Sequence, residues 1–383
     1  MSRFHIYREE AIRLLQNYYC GEPFSAYIKK ELAKDRRKGS RDRKIITDIC
    51  FRFFRIGNLF SDKKIEDRLD VALFLTSIDG NLMLSDKWKS YSQVSIEEKI
   101  QLTGVDLSFS SLFPFGSLLS EGINLSDFQK SFLSQPPVYI RIRPGFENVV
   151  VDRLHAEGIP FRIMNEHCIS VSQAVKLETY FSLNKEVVVQ DASSQKIVPV
   201  IQSVFKETDK INVWDCCAAS GGKSIHLYDL FSQSKITVTD IRESVLYNLK
   251  NRFAEAGIRN YTSKVADLSM SYESEIKYDL IIADVPCSGS GTWARTPEQI
   301  TCFKEDDLIK FKNLQRQIII NSIPNLKTGG YLLYSTCSAF RDENEEQVLW
   351  IKNELQMNCL QSSLINGTTY SADTMYVALF QKN

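Results

Sequence analysis

The sequence predicts an α/β fold for its second half, built on a parallel, doubly wound sheet, behind an all-α N-terminal domain and a small α+β module. Three observations carry this. Apolar residues recur at helical spacing through about the first hundred residues, an alternating strand signature opens at Val138, and from Ile211 onward short β-rich runs alternate with helical stretches. The 383 residues suffice for two or three domains, and a hydrophobic fraction of 43% supplies real cores.

The first helix is read in "EEAIRLLQNYY", where Ala11, Ile12, Leu14, Leu15 and Tyr18 share a face. Another follows in "RDRKIITDICFRFFRIGNLF", with Ile45, Ile46, Ile49, Cys50, Phe53 and Phe54. Between them lies "KKELAKDRRKGSRDRK", residues 29–44, with nine basic and three acidic side chains. A solvated helix face and an RNA phosphate contact weigh equally for Arg36, Arg37, Lys38, Arg41 and Arg43.

The texture changes in "SDFQKSFLSQPPVYIRIRPG". Ser126 or Asp127 is expected to cap a helix that ends before Pro136, and "VYIRIR" then alternates Val138, Ile140 and Ile142 with Tyr139, Arg141 and Arg143. A helix in "ENVVVDRLHAEGI" and a further short strand complete the α+β module. Arg141 and Arg143 are expected to face away from its core, toward solvent by default or toward RNA backbone. In the second half "INVWDCC", "KITVTD", "YDLIIADV" and "GGYLLYST" are the strands, and "ESVLYNLKNRFAEAG" and "DDLIKFKNLQRQIIINSIPNL" are helices. In such a sheet ligands gather beyond the carboxyl ends of the strands.

Charge is balanced, 47 basic against 47 acidic residues, so a polyanion must be met by a local patch and not by a global field. The charged start and the lack of a long apolar run speak against a signal peptide and a membrane span, and lead to an expectation of a cytoplasmic protein. Nine cysteines in a reducing compartment are expected to stay thiols, and a metal site is not expected, because no C-x-x-C pair occurs and there are only four histidines.

"DCCAASGGKS", residues 215–224, ends a strand and opens a helix with Gly221 and Gly222, a turn that lets backbone approach a ligand closely. A phosphate loop ending in "GGKS" would need glycine where Cys217 stands. Asp240 ends the next strand, at a separation where an acidic side chain commonly receives ribose hydroxyls, and Asp267 would end the third. A strand-end Asp serves as a helix cap about as often. Such a set suits a nucleoside cofactor without a pyrophosphate, and S-adenosylmethionine fits better than a dinucleotide.

Taken in order, "VVVQDASSQ", "DCCAASGGKS", "DVPCSGSGTWARTPE" and "YSTCSAFRDENEEQV" resemble the signature blocks of the Sun or RsmB-type RNA 5-methylcytosine methyltransferases. The resemblance implies a helical, NusB-like RNA-binding domain over residues 1–130, a small RNA-binding module over 131–184 and a Rossmann-like, S-adenosylmethionine-dependent catalytic domain over 185–383. It implies a monomer acting on RNA, with ribosomal RNA favoured and transfer RNA open.

The chemistry of that family needs two cysteines. Carbon 5 of cytosine is a poor nucleophile, so a thiolate adds to carbon 6 and makes an enamine that attacks a methyl donor. The sulfur must then leave. A free thiol titrates near ~8.5, so the attacking cysteine needs an activating environment. The resemblance implies Cys337 as nucleophile and Cys287 as the group that assists release. Asp284 would hydrogen-bond the cytosine edge and Lys223 would orient the base. Ala218, Ala219, Ser220, Gly221, Gly222, Lys223, Asp240, Asp267 and Asp284 would line the cofactor site.

Composition alone would read each thiol as a buried core residue, the reading kept for Cys216, Cys217 and Cys302. The chain departs from the family at Ser220 and Ser224, where proline and threonine are usual, in the single arginine of "WARTPE", and at Met375 and Tyr376, where an aromatic pair is usual. Two rivals remain. A DNA cytosine methyltransferase places its nucleophile in a Pro-Cys block, against which "YSTCS" argues, and a ribosome-assembly or RNA-binding factor would keep the fold without catalysis.

Overall fold

The computed structural model describes residues 3–77, 83–104 and 111–383. They divide into two compact units, Met1–Ser117 with Asn124–Gln135 and Thr292–Lys304, and Leu118–Ile123 with Pro136–Gly291 and Glu305–Asn383.

The first unit is helical. Arg3–Gln16, Phe24–Ala33, Ser40–Arg55 and Ile65–Leu75 turn Ala11, Leu14, Phe24, Ile28, Ile49, Phe54 and Leu69 into one core. Ser95 starts the helix Ile96–Thr103 by accepting from the Glu98 N–H while Glu98 returns to the Ser95 N–H, and Gly104 at φ 73° ends it. The helix expected from Ser126 or Asp127 begins a little earlier, at Leu125, because Asn124 Oδ1 accepts from the Asp127 N–H at 3.0 Å. Thr292–Lys304 is built into this unit. Buried Arg55 donates to the carbonyls of Phe132, Ser134 and Ala294 at 2.9, 2.8 and 2.8 Å, and Trp293 packs on Phe113 and Phe115. Cys302, read from the sequence as a core thiol, is joined to Cys20 in a disulfide, which corrects the expectation that all nine cysteines stay free.

The second unit holds two sheets. Strands β1 (Val138–Ile142), β2 (Phe161–Asn165), β3 (Cys168–Val171) and β4 (Val187–Val189) pair antiparallel in the order β2-β3-β1-β4. The helix Glu147–Ala156 covers one face through Val150 and Leu154, against Ile140, Ile142 and Ile169.

The other face of β1 is where the sequence reading fails. Arg141 and Arg143 are 3% and 9% exposed, not turned to solvent. Both grip Asp229, near the end of the helix Gly222–Leu230, with N···O distances of 2.6 and 2.7 Å. Arg143 also donates to the Asn184 and Ala256 carbonyls, and Arg141 Nε to Gln190 Oε1. Alternation marks which residues share a face; it does not say that the polar face meets water. Here that face is covered and its charge neutralised, so these two side chains are unavailable to RNA phosphates.

The larger sheet contains β5 (Asn212–Asp215), β6 (Lys235–Asp240), β7 (Tyr261–Val265), β8 (Tyr278–Asp284), β9 (Leu326–Thr336), β10 (Asn358–Ile365) and β11 (Met375–Gln381), ordered β10-β11-β9-β8-β5-β6-β7. Five strands from β7 to β9 are parallel, as expected. β11 runs antiparallel to β9 and to β10, so the sheet is mixed. The link between β10 and β11, residues 366–374, is shorter than a parallel crossover requires, and the chain turns back on itself. Odd and even positions of the central strands enter opposite cores. Val213, Leu280 and Ile282 meet Ile225, Leu249 and Phe253 on one side, while Trp214, Ile281 and Ala283 meet Ile318, Ile319 and Ile351 on the other. Each such aliphatic side chain contributes about 1.5–3 kcal/mol by leaving water. The parallel pairing sets the carboxyl ends of β5, β6, β8 and β9 along one edge.

Candidate active site

The order reverses between β5 and β8, the place where a doubly wound sheet opens a crevice. Beyond β5 the backbone leaves the strand through Ala219 at φ 45° and Gly221 at φ 81°, and Gly221 starts the helix Gly222–Leu230. A Cβ on Gly221 would lie 2.8 Å from Phe253 Cε1, so only glycine lets the turn sit this close to its neighbour helix. Ser224 keeps the hydroxyl of the usual threonine and donates to Asp215 Oδ2 at 2.6 Å. Ser220, where proline is usual, is held instead by Arg252, whose Nη1 donates to its carbonyl and Oγ at 2.8 and 2.7 Å.

A cavity of about 430 Å³ follows this edge. Ala219, Asp240, Asp267, Asp284, Cys287 and Cys337 line it, with Ile241, Leu268, Leu314 and Ile318 as apolar walls. Asp240 accepts from the Ala219 N–H at 3.0 Å and from Arg242 Nε at 3.0 Å. Burial would raise its carboxyl, but the bonds from Arg242 and Ala219 outweigh it and hold the group below the usual range. Asp267 lies two residues past β7 and accepts from the Ser269 hydroxyl and N–H, which lower its carboxyl. Cys217, read from the sequence as a core residue, is half-buried and lines the cavity; Cys216 beside it is buried, and its thiol is pushed well up, first by the bond with Cys217 and then by burial.

A second hollow of about 290 Å³ is lined by Ala218, Ala219, Ser220, Gly222, Lys223, Asp284 and Cys337. Asp284 and Cys337 therefore border both spaces. Lys223 Nζ lies 2.6 Å from Asp284 Oδ2, and the Ser335 hydroxyl donates to Asp284 Oδ1 at 2.8 Å. Burial would depress the Lys223 ammonium, yet the Asp284 carboxylate, with Cys337 and Asp215 near, raises it. The Lys223–Asp284 ion pair thus shares the lining of this hollow with Cys337.

Cys287 Sγ and Cys337 Sγ are 3.4 Å apart, although fifty residues separate them in sequence. The Cys287 thiol is pushed well up, first by its hydrogen bond with Cys337 and then by burial. All four residues expected to carry the chemistry meet at one place. The basic residues of 36–43 stay in the helical unit, where Arg36 and Arg41 are exposed, Arg37 pairs with Asp35, and Lys38 pairs with Asp35 and Glu10. Arg43 Nε donates to the Lys38 carbonyl at 3.0 Å. Sequence reasoning missed Ser335, Arg242, Arg252 and Glu343. Of these, Ser335 and Glu343 lie inside quoted blocks, and only their tertiary contacts reveal them.

The family described as 16S rRNA methyltransferase RsmB/F matches residues 202–378. Over that segment the chain is similar to the RsmB/F methyltransferases. A probable ribosomal RNA small subunit methyltransferase B of Bacillus subtilis is 31% identical over 205 residues, 52% of this chain and 45% of that protein. A ribosomal RNA small subunit methyltransferase B of Proteus mirabilis is 26% identical over 65% of this chain and 60% of its own length. The chain thus spans about half the length of the curated relatives it matches. The fold is shared with the crystal structure of PH0851, at TM-score 0.73 and 20% identity, covering 100% of this chain and 99% of that one. The RsmB/F segment contains the glycine turn, both cysteines, Asp240, Asp267 and the Asp284–Lys223 pair.

Proposed function

We propose that this chain methylates carbon 5 of a cytidine in RNA, with S-adenosylmethionine as methyl donor and a covalent bond from Cys337 to carbon 6. The observation that carries the reading is the 3.4 Å approach of two sulfurs beside an acid–lysine pair, on the rim shared by two cavities.

The larger cavity fits the donor. Asp240 and Asp267 offer acceptors for hydroxyl and amino groups, Ile241, Leu268 and Ile318 offer apolar walls for a purine, and among the described residues Arg242 is the single basic side chain of its lining, too little for a pyrophosphate. Ala218, Ala219, Ser220, Gly221 and Gly222 form the turn that would receive the amino-acid end. When bound, the donor supplies an electrophilic methyl group.

The protein's part follows from its charges. Lys223, on the same rim as Cys337, would offset negative charge on that sulfur, and the Cys287 thiol would donate a hydrogen bond to it. A cytosine in the second hollow would meet Asp284 at its polar edge, with Lys223 orienting the base. Once the methyl group is on carbon 5, the proton there would pass to water, its C–H electrons would re-form the 5,6 double bond, and the bond from carbon 6 to Cys337 would break so that the sulfur leaves as a thiolate. The Cys287 thiol, already within hydrogen-bond reach, stabilises the departing charge. The base must be out of its stack for a thiolate to reach carbon 6.

The substrate we favour is ribosomal RNA, supported by the relatives' names, with transfer RNA the alternative. Residues 1–130 would act as a NusB-like RNA-binding domain, 131–184 as the RNA-binding module and 185–383 as the catalytic domain. Arg36, Arg37 and Arg41, which are exposed, with the partly buried Lys38 and Arg43, would meet phosphates. Cys337→Ala is expected to abolish transfer of labelled methyl to RNA. Cys287→Ala is expected to trap an RNA–protein adduct, seen as a slow band in denaturing gels; its absence would refute the release role. Transfer to DNA alone, or RNA binding by the unmodified protein without transfer, would refute the function.

A further inference from the structure

Glu343 is a carboxylate that the reaction above does not use, and it is fully buried. Donors from Ser288 and Gln315 converge on it. The Ser288 N–H and Gln315 Nε2 reach Oε1 at 2.8 and 3.0 Å, and the Ser288 hydroxyl reaches Oε2 at 2.5 Å. The Gln315 amide is oriented independently, since its Oε1 accepts from Gln347 Nε2 at 2.8 Å. A set made only of donors suits an ionised carboxylate. Burial pushes this carboxyl up, and the bonds from Ser288, Ser338 and Gln315 restrain the rise.

Ser288 directly follows Cys287. Ser338 directly follows Cys337, and its Oγ lies 3.2 Å from Ser288 Oγ and 3.1 Å from Ser290 Oγ. Gln315, bound to Glu343, also donates to the Pro286 carbonyl at 3.0 Å, and Tyr334 donates to the Glu343 carbonyl at 2.7 Å. One carboxylate therefore gathers the turn before and after Cys287 and the turn after Cys337. Around the sulfurs the titratable groups are arranged unequally. Glu343 and the Tyr334 phenol face Cys287, while Lys223, bound to Asp284, faces Cys337.

We infer that Glu343 is a positioning residue for the cysteine pair: it holds the two turns so that the sulfurs touch, and its buried carboxylate opposes a second negative charge at Cys287. The inference rests on the proposed function for what the pair does. Its test needs neither RNA nor methyl donor.

In full-length protein carrying Cys337→Ser, alkylation of Cys287 by iodoacetamide is followed by peptide mass spectrometry across neutral to alkaline pH. Glu343→Gln keeps the size and hydrogen-bonding capacity of the side chain and removes its charge. The profile is expected to move to lower pH by about half a unit, roughly threefold more thiolate at a fixed pH below the midpoint. An unmoved profile, or one moved upward, overturns the electrostatic role. With both cysteines present, Glu343→Asp keeps the charge but withdraws it from Ser288. Disulfide closure between Cys287 and Cys337 by diamide, which takes up the two electrons and two protons, is expected to slow several-fold. Closure at the unmodified rate overturns the anchoring role. A chain that transfers no methyl group would refute the proposed function and leave both outcomes readable.

Discussion

Asp215 is the strongest lever on stability in the site. It ends β5 beneath the glycine turn, is 1% exposed, and its Oδ1 has no hydrogen-bond partner among the described residues. Burial, with Asp284 and Asp240 adding to it against Ser224 and Lys223, pushes its carboxyl up to about 7. An unfolded aspartate titrates near ~3.9. Between those values the folded chain keeps a proton that the unfolded chain has released. The group's contribution is therefore fully present below the unfolded value and is lost as pH rises through the folded one. Three units at about 1.4 kcal/mol each amount to about 4 kcal/mol across the window. Asp215→Asn keeps an oxygen for the Ser224 hydroxyl and cannot ionise. Relative to the unsubstituted protein it is expected to gain up to about 4 kcal/mol between about pH 4 and about pH 8. Urea unfolding of both proteins at a series of pH values measures this, because other titrating groups cancel in the difference. A difference independent of pH, or one that falls as pH rises, would refute the reasoning.

Other outcomes follow from the same contacts. Gly221→Ala puts a Cβ 2.8 Å from Phe253 Cε1 at φ 81°, and is expected to lower stability and weaken donor binding in calorimetry. The strain there is on the order of 1–3 kcal/mol. Asp229→Ala leaves Arg141 and Arg143 buried without a carboxylate, a loss of about 3–5 kcal/mol in denaturant unfolding. Replacing exposed Arg36 and Arg41 by alanine is expected to reduce the slope of log affinity for RNA against log salt by about one unit each, with little change in stability.

Much of the architecture was legible from periodicity. "KITVTD" and "YDLIIADV" became β6 and β8 nearly residue for residue, since strands buried on both faces read as apolar runs. The antiparallel edge was not, because pairing direction depends on what lies between strands, as the short link before β11 does. Arg141 and Arg143 were misread for a related reason. Period-2 alternation names the two faces, and only the tertiary fold brings Asp229 to one of them. In the site, the resemblance of the blocks "DVPCSGSG" and "YSTCS" pointed to two cysteines and an acid. It carried no trace of Glu343 tying those blocks together, or of Arg252 standing in for a proline, because both act through contacts between distant segments. Cys302 shows the same limit, since nothing in the spacing pairs it with Cys20.

The central claim is methyl transfer to carbon 5 of cytidine through Cys337. Its most direct test incubates the purified protein with RNA and methyl-labelled S-adenosylmethionine, digests the RNA to nucleosides and identifies the labelled one by mass spectrometry, with Cys337→Ala in parallel. The account expects label in 5-methylcytidine from the unsubstituted protein and none from Cys337→Ala. Label in any other nucleoside, or equal label from the Cys337→Ala protein, would contradict it.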